Sequence, residues 1–253
     1  MTFLPVFILT CLTSLSAPAA GWTVMIDPGH GGADRGAVYA GVKEADLVLA
    51  VSQNLGSLFK NDSHFRIQLS RTEDSTLSLQ DRIHKAEEIK ADLIVSIHAN
   101  AAQDSRARGV EFYVQNPLPN EEESLFLAHQ ESQIVAASDF HEDDSLSKSK
   151  DVSAIIEDLQ RQNKFFKSLE LSELLKKSWQ TSRPKSLVSI KQAPFYVISQ
   201  GHIPSVLIEI GFLSHAQESR QLKDLRYQKE IAEIIHQAIL KYLDAESATL
   251  TSL

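Results

Sequence analysis

The sequence predicts a single α/β domain with a mostly parallel sheet flanked by helices. Short apolar runs alternate with segments whose apolar residues recur at helical spacing, in the order strand, helix, strand, helix. Residues 93–97 are apolar without alternation, as in a strand that is covered on both faces. A length of 253 residues, 43% of them hydrophobic and 23% charged, suits one sizeable core.

Each predicted element follows from its apolar pattern. Strands are predicted at residues 22–26, 65–69, 93–97, 109–114, 193–198 and 205–212. Helices are predicted at about residues 44–60, from 79 onward, at 124–138, from 151 onward, at 168–178 and at 222–243. The helix that is predicted to begin near Asp151 carries an apolar stripe of Val152, Ile155, Ile156 and Leu159. A frayed polar tail is expected from Glu246 onward, so the catalytic domain would span residues 21–245 and the tail 246–253.

The first twenty residues form a separate segment. They carry no charged side chain, are mostly apolar from residue 3 to 15, and end in small residues at 16–20, which is typical of a cleaved secretory signal. A membrane anchor is the alternative, but the apolar run is too short and too interrupted to span a bilayer comfortably. We therefore expect an exported protein of the periplasm or cell envelope, without a membrane span in its mature form.

Charge and cysteine content narrow the possible functions. The formal net charge of −8 argues against a nucleic-acid partner held by phosphate contacts. Cys11 is the only cysteine and lies in the expected signal, so the mature chain would contain no disulfide. Any metal ligands must then be His, Asp or Glu.

Two histidines stand where predicted strands end. His30 lies in a glycine-rich turn that follows the first strand, and His98 ends the strand at 93–97. In open α/β sheets, ligands bind at the carboxyl ends of strands, so the two imidazoles occupy equivalent positions. Taken alone, the His30 loop is equally well explained as an ordinary surface turn.

Two carboxylates are candidates for the same site. Glu44 lies in the first turn of a helix, where it is either a partner for the helix dipole or a ligand beside the His30 loop. Glu209 interrupts the apolar strand at 205–212. A carboxylate inside such a strand is costly to bury unless it is paired, protonated or bound to metal, which favours a functional role.

Four sequence features in this order resemble the zinc-dependent N-acetylmuramoyl-L-alanine amidases with a type-3 catalytic domain. They are DPGHGG at residues 27–32, Glu44 at a helix start, SIHAN at 96–100 and LIEIGFLS at 207–214. The segments LSR at 69–71 and GVEFY at 109–113 also match in order. The resemblance covers essentially everything after the expected signal.

The resemblance implies a specific chemistry. His30, Glu44 and His98 would bind one Zn²⁺ per chain, and Glu209 would be the catalytic carboxylate. Three protein ligands leave zinc a position for water, whose proton a nearby carboxylate can accept. In this family the hydrolysed bond is the amide that joins the lactyl group of N-acetylmuramic acid in peptidoglycan to L-alanine of the stem peptide.

The region from about 115 to 185 is the least regular part of the sequence. It is predicted to be a helical insertion that covers one face of the sheet or acts as a lid. The resemblance implies more, because cell-division members of the family carry an insertion that occludes the zinc until a periplasmic activator protein displaces it. Glu142 and Glu157 are the candidates for an inhibitory cap on the metal. Separately, the protein is expected to be a monomer.

Two alternatives remain open from the sequence. One is a different zinc hydrolase that cuts within the stem peptide, although the chain lacks the His-Glu-x-x-His pattern of the commonest zinc peptidases. The other is a wall-binding regulator that keeps the fold without catalysis. All four expected active-site residues are present, which argues against the second alternative.

Overall fold

A six-stranded sheet organises the computed structural model, which describes residues 21–115 and 150–251. The strands in chain order are β1 (Trp22–Pro28), β2 (Val38–Tyr39), β3 (Val42–Lys43), β4 (Phe65–Leu69), β5 (Leu93–Asn100), β6 (Val110–Gln115), β7 (Val188–Ala193) and β8 (Ser205–Phe212). The six-stranded sheet has the order β4-β1-β5-β8-β6-β7, and β2 pairs with β3 as a separate antiparallel hairpin. Every pairing in the large sheet is parallel except that of β6 with β8. The predicted α/β class with a mostly parallel sheet is confirmed.

Helices cover the two faces of this sheet unequally. They are α1 (Glu44–Leu58), α2 (Leu79–Glu88), α3 (Lys150–Ser182), α4 (Tyr196–Ser199), α5 (Ala216–Leu222) and α6 (Leu225–Thr251). Buried residues of α1, α3 and α6 form one large apolar cluster with one face of the strands, which we call the three-helix face. Smaller apolar clusters with α2 and α4 cover part of the opposite face, which we call the two-helix face. Alternate residues of each strand point to opposite faces.

Helix α3 differs from the sequence prediction. The separate helices predicted from residue 151 and over 168–178 are one continuous helix, because no glycine or proline interrupts residues 150–182. In its second half, Leu171, Leu175 and Trp179 are fully buried in the three-helix face. In its first half, the stripe residues Ile155, Ile156 and Leu159 are instead exposed, with relative accessibilities of 60%, 50% and 59%. The second half of α3 is therefore part of the domain core.

Two further element boundaries differ from the prediction. The strand predicted at 193–198 is β7 at Val188–Ala193, where Val188 and Ile190 alternate with polar residues; Pro194 ends it and the short helix α4 follows. The predicted frayed tail from Glu246 is helical as far as Thr251. Glu246 forms an ion pair with Lys167 on α3, and the Trp22 indole N–H donates to Ser247 Oγ at 3.2 Å. These contacts tie the end of α6 to the domain.

Some predictions fall outside the part of the chain that the structure describes. They are the signal at residues 1–20, the helix at 124–138 and the candidate cap Glu142. Among the helices of residues 21–115 and 150–251, none combines the length and apolar character needed to cross a membrane.

Candidate active site

The site begins with three side chains that come from three separate elements. His30 follows β1, Glu44 is the first residue of α1, and His98 lies near the end of β5. One ligand atom from each residue lies within 4.8 Å of the other two, and together they form a group that could hold a metal ion. Glu44 Oε1 lies between the imidazoles, 3.2 Å from His30 Nε2 and 3.2 Å from His98 Nδ1. The structure therefore brings together the three residues that the sequence predicted as ligands.

The Glu44 carboxylate is buried but strongly stabilised in its charged form. Burial by itself raises its pKa, yet the charges and hydrogen bonds of His30 and His98 hold the pKa well below its ordinary value. Its two oxygens also accept backbone hydrogen bonds, from Ala99 at 2.9 Å and from Ala37 at 2.9 Å. Glu44 is thus an anion at neutral pH, as a metal ligand must be.

Asp34 orients the first histidine. Its Oδ2 lies 2.7 Å from His30 Nδ1, which leaves Nε2 directed at the ligand group. Burial raises the pKa of Asp34, but the hydrogen bond and charge of His30 outweigh this effect and lower it. A carboxylate on the second nitrogen of a metal-binding imidazole sets its tautomer and its direction. The sequence prediction missed Asp34, although its position four residues after His30 in the same loop was a usable signal.

Two glycines leave the space in which the ligands meet. A Cβ atom at Gly29 would lie 2.4 Å from the His98 ring, and one at Gly36 would lie 2.5 Å from Glu44 Oε2. Gly36 also has a φ of +60°, a conformation that glycine adopts without strain. The close packing around the imidazoles and the carboxylate explains why the ligand loop is rich in glycine.

Glu209 lies on the strand next to the ligand strand. In the parallel pairing of β5 with β8, Glu209 is the register partner of His98, so both side chains project from the two-helix face. Glu209 is buried, with a relative accessibility of 6%. The structure therefore places this carboxylate beside His98, while its functional role stays a prediction.

Glu111 extends this row to a third strand, and the sequence analysis did not select it as a site residue. It is the register partner of Glu209 across the antiparallel β6–β8 pair. Its carboxylate accepts hydrogen bonds from the Tyr113 hydroxyl at 2.8 Å and the Asn100 side-chain amide at 3.3 Å, and it pairs with Lys191 at 3.0 Å. A polar residue on an otherwise apolar, alternating strand was the available signal.

The candidate inhibitory residues do not join the ligand group in the described part of the chain. Glu157 lies on the first half of α3, where its side chain is exposed and forms an ion pair with Arg161 at 3.4 Å. Glu142 lies outside the described residues. His215 is the N-cap of α5, where its Nδ1 accepts a hydrogen bond from the Glu218 backbone N–H at 3.3 Å.

The donor set fits a divalent metal. Two imidazoles and one carboxylate are a combination typical of catalytic zinc sites, and Asp34 supplies the outer carboxylate that such sites commonly have. The fold and the site therefore define an α/β protein with a His/Glu/His group that could hold a metal ion at the carboxyl edge of its sheet.

A family model described as N-acetylmuramoyl-L-alanine amidase, of the type-3 class, matches residues 24–241. The chain belongs to this family.

Curated relatives agree with the family assignment. The chain is 33% identical to the N-acetylmuramoyl-L-alanine amidase AmiC of Escherichia coli O6:H1 over 229 residues, which are 90% of this chain and 54% of AmiC. It is 32% identical to the amidase AmiA of Salmonella typhimurium over 224 residues, covering 87% of this chain and 75% of AmiA. The chain thus spans little more than half the length of AmiC, and 57% of the AmiB relative from Haemophilus influenzae.

Solved structures of amidases share the fold. The catalytic domain of CwlV from Bacillus (Paenibacillus) polymyxa superimposes with a TM-score of 0.66 at 27% identity, covering 88% of this chain and 98% of that domain. An N-acetylmuramoyl-L-alanine amidase from Clostridium difficile 630 gives a TM-score of 0.67 at 26% identity, with 89% and 98% covered. The similarity therefore extends over nearly the whole of each catalytic domain.

Proposed function

We propose that this protein hydrolyses the amide bond between N-acetylmuramic acid of peptidoglycan and L-alanine of the stem peptide. The observation that carries the proposal is the adjacency of Glu209 to the His30, Glu44 and His98 group, on neighbouring strands of one sheet face. Membership of the amidase family indicates which amide bond is hydrolysed. The site supplies the groups that hydrolysis of an unactivated amide requires.

The proposed cofactor is one Zn²⁺ per chain, held by His30, Glu44 and His98. When bound, zinc lowers the pKa of a water molecule and polarises a carbonyl group. The chain's own contribution is the orientation of the three donors: Asp34 directs the His30 ring, and the Ala37 and Ala99 N–H groups hold the Glu44 carboxylate. These contacts position the ligands before the metal arrives.

Glu209 is the proposed general base and acid. It would accept the proton of the attacking water and return a proton to the nitrogen of L-alanine as the C–N bond breaks. Its location inside an apolar strand keeps the carboxylate away from bulk water, and its register with His98 keeps it beside the ligands. A carboxamide at this position could neither accept nor return the proton.

Control of the site by the preceding region is a further part of the proposal. We propose that residues of the insertion at about 115–185 occlude the site until an activator protein displaces them, with Glu142 before α3 or Glu157 on α3 as the inhibitory cap. The exposed apolar residues Ile155, Ile156 and Leu159 in the first half of α3 support a role in contacts beyond the described core. Export through the signal at 1–20 and action as a monomer in the periplasm or cell envelope belong to the same proposal.

A replacement experiment tests the control. Residues 118–149 would be exchanged for a flexible Gly-Ser linker, leaving α3 intact because buried Lys164 anchors it to the carbonyl groups of Gln200 and Gly201. Hydrolysis of purified peptidoglycan should rise several-fold relative to the parent. Glu142→Gln and Glu157→Gln are made separately in the full chain. The substitution that reproduces the rise in hydrolysis identifies the inhibitory cap. Unchanged hydrolysis in both the folded linker variant and Glu157→Gln contradicts autoinhibition.

Product analysis tests the bond itself. Purified peptidoglycan is digested with the parent and with the linker variant, and the soluble products are identified by mass spectrometry. Free stem peptides that begin with L-alanine support the proposal. Shortened stems that remain on muramic acid would instead assign a peptidase, and metal binding without any product from either protein would assign a wall-binding module. Glu209→Gln serves as the control that separates catalysis from a contaminating hydrolase.

A further inference from the structure

We infer that Arg71 and Arg82 are positioning residues for the metal site: their buried guanidinium groups hold the His30 loop and the start of α1 where the metal needs them. The inference rests on the proposed zinc site and deepens it. Both residues act through backbone carbonyl groups of the ligand-bearing segments. The segment LSR at 69–71 thereby receives a role that the reaction alone does not give it.

Arg71 joins the two segments that carry the first two ligands. Its Nη2 donates to the Gly29 carbonyl at 2.7 Å and to the Ala45 carbonyl at 2.9 Å, and its Nε donates to the Pro28 carbonyl at 3.1 Å. Gly29 precedes His30 and Ala45 follows Glu44 in the chain. A single planar group therefore sets the distance between the His30 loop and the first turn of α1.

Arg82 holds the same loop from helix α2. Its Nη2 donates to the His30 carbonyl at 2.7 Å, and its Nη1 donates to the Pro28 carbonyl at 2.7 Å and to Asp27 Oδ1 at 2.6 Å. Three consecutive carbonyl groups, those of Pro28, Gly29 and His30, thus accept hydrogen bonds from buried guanidinium groups. The loop can neither rotate nor withdraw without leaving several of these charged donors unsatisfied.

Asp27 completes the network and fixes Arg82. Burial raises the pKa of Asp27, but the Arg82 charge and hydrogen bonds from Ser70, Arg82 and Ser96 outweigh burial and lower it. The Ser70 and Ser96 hydroxyls donate to its carboxylate at 2.5 Å and 2.9 Å. The aspartate is therefore a charged anchor at the end of β1, one residue before the proline that opens the ligand loop.

The loop conformation explains why such support is needed. His30 has a φ of +56°, and the next two residues, Gly31 and Gly32, have φ values of +125° and +63°. A histidine in the left-handed region is strained and persists only where its surroundings hold it. The guanidinium groups provide that hold at the residue whose side chain is a ligand.

Stability alone does not account for two buried arginines with one carboxylate between them. Both Arg71 and Arg82 are nearly inaccessible to solvent, at 3% and 2% relative accessibility. Buried ion pairs are often no more stabilising than apolar side chains of the same size. Apolar side chains could not donate directed hydrogen bonds to the carbonyl groups of the ligand loop. This matters because a ligand that is displaced by a fraction of an ångström loses metal affinity.

Zinc affinity of full-length variants tests the inference without reference to turnover. The variants are Arg71→Lys and Arg82→Lys, which keep the charge and lose the planar fork. Lys85→Met is the matched control, because Lys85 also lies on α2 and donates to a nearby carbonyl, that of Ser70, at 2.7 Å, but makes none of these contacts with the ligand loop. The zinc Kd is measured by competition with a chromophoric chelator, and the Tm of each metal-free protein is measured in parallel.

The two possible roles predict different results. A positioning role predicts that Arg71→Lys and Arg82→Lys raise the zinc Kd about 10- to 100-fold, whereas Lys85→Met leaves it within about twofold. A purely structural role predicts lower Tm values with an unchanged Kd, and that result overturns the inference. If one lysine variant does not fold, the other decides. A parent that binds zinc but releases no stem peptide would sink the proposed function and leave this test valid.

Discussion

The two faces of the central sheet divide stability from chemistry. On the three-helix face, strand residues such as Ile97 and Ile208 pack against α1, α3 and α6 in one large apolar cluster. On the opposite face, one position along the same strands, His98, Glu209 and Glu111 form a polar row across β5, β8 and β6. Because neighbouring residues of a strand point in opposite directions, one short segment serves both purposes.

The apolar face allows this fold to tolerate a costly polar site on the opposite face. Buried carboxylates and imidazoles in a row are unfavourable by themselves. The apolar cluster on the other face includes fully buried side chains as large as Trp179, and it stabilises the sheet independently of the polar row. We therefore expect substitutions on the two faces to have separable effects, one on unfolding and the other on binding and turnover.

The largest effect is expected from loss of a ligand on the polar row. His98→Ala leaves two protein ligands, which is too few for a stable catalytic zinc site. Zinc content should fall from one per chain to near zero, and release of stem peptides should become undetectable. Metal analysis of the dialysed protein measures the first quantity. A variant that retains one zinc per chain would show that His98 is not a ligand.

The second effect separates turnover from metal binding within the same row. Glu209→Gln removes the proton acceptor and keeps the size of the side chain, so kcat should fall about 10²- to 10⁴-fold. The zinc Kd and the Tm should change little. A Glu209→Gln protein as active as the parent would contradict the assignment of the general base.

The third substitution probes the apolar face. Trp179→Ala removes a fully buried ring from α3, which should lower the free energy of unfolding by about 3–5 kcal/mol. Urea unfolding of the metal-free proteins measures this loss. The zinc Kd of the folded fraction should match that of the parent, and a large change in Kd would show that the two faces are coupled.

A smaller effect is expected from Glu111, the neighbour of the proposed general base. Glu111→Gln keeps the shape and weakens the ion pair with Lys191, so kcat/KM should fall by about 3- to 10-fold, equivalent to roughly 1 kcal/mol. Lys191→Met and the double variant complete a double-mutant cycle in the same assay. Additive effects of the two substitutions would show that the pair does not act as a unit.

A last effect, on stability rather than on turnover, is a pH dependence. Burial lowers the pKa of Lys164 to about 8, whereas the unfolded chain has the ordinary value near 10.4. Between these values the unfolded state binds more protons, so this lysine makes the folded state more stable as pH rises from about 8 to 10, by about 1–2 kcal/mol.

The matched variant isolates that contribution. Lys164→Met has no titrating group at this position. The unfolding free energy of the parent should therefore rise relative to that of the variant over the same pH range. Urea unfolding at pH 7.5, 8.5 and 9.5 measures it. The raised pKa values of Tyr227 and Tyr242 affect both proteins equally and cancel in the difference. A constant difference across the three pH values would contradict the lowered pKa.

The sequence predicted the parts of the site that depend on local pattern. His30 and His98 were recognisable because each follows an apolar run, and Glu209 because it interrupts one. Asp34, Arg71 and Arg82 were harder to assign, because their roles depend on where their side chains point in the folded chain. Arg82, for example, reaches a carbonyl group 52 residues away in the chain, and no periodicity reports such a contact.

The two wrong element boundaries, those of α3 and β7, have different causes. Residues 150–182 combine an exposed half and a buried half in one helix, and the change in apolar pattern between the halves imitates a break. The strand placed at 193–198 had enough apolar residues, but Pro194 removes a backbone donor and shifts the strand to Val188–Ala193. The helix error reflects tertiary packing that local pattern does not report, and the strand error reflects the missing backbone donor of a proline.

We propose that a zinc site at the carboxyl edge of the sheet and one carboxylate on its two-helix face hydrolyse the muramoyl-L-alanine amide. The most direct measurement strips the metal from the protein with a chelator, restores zinc stepwise, and follows the release of stem peptides by mass spectrometry, using the linker variant if the parent is inhibited. The account predicts that release stops without metal and recovers fully at one zinc per chain, with every released peptide beginning with L-alanine. Undiminished release by protein verified to be metal-free, or recovery of shortened stems still attached to muramic acid, would contradict it.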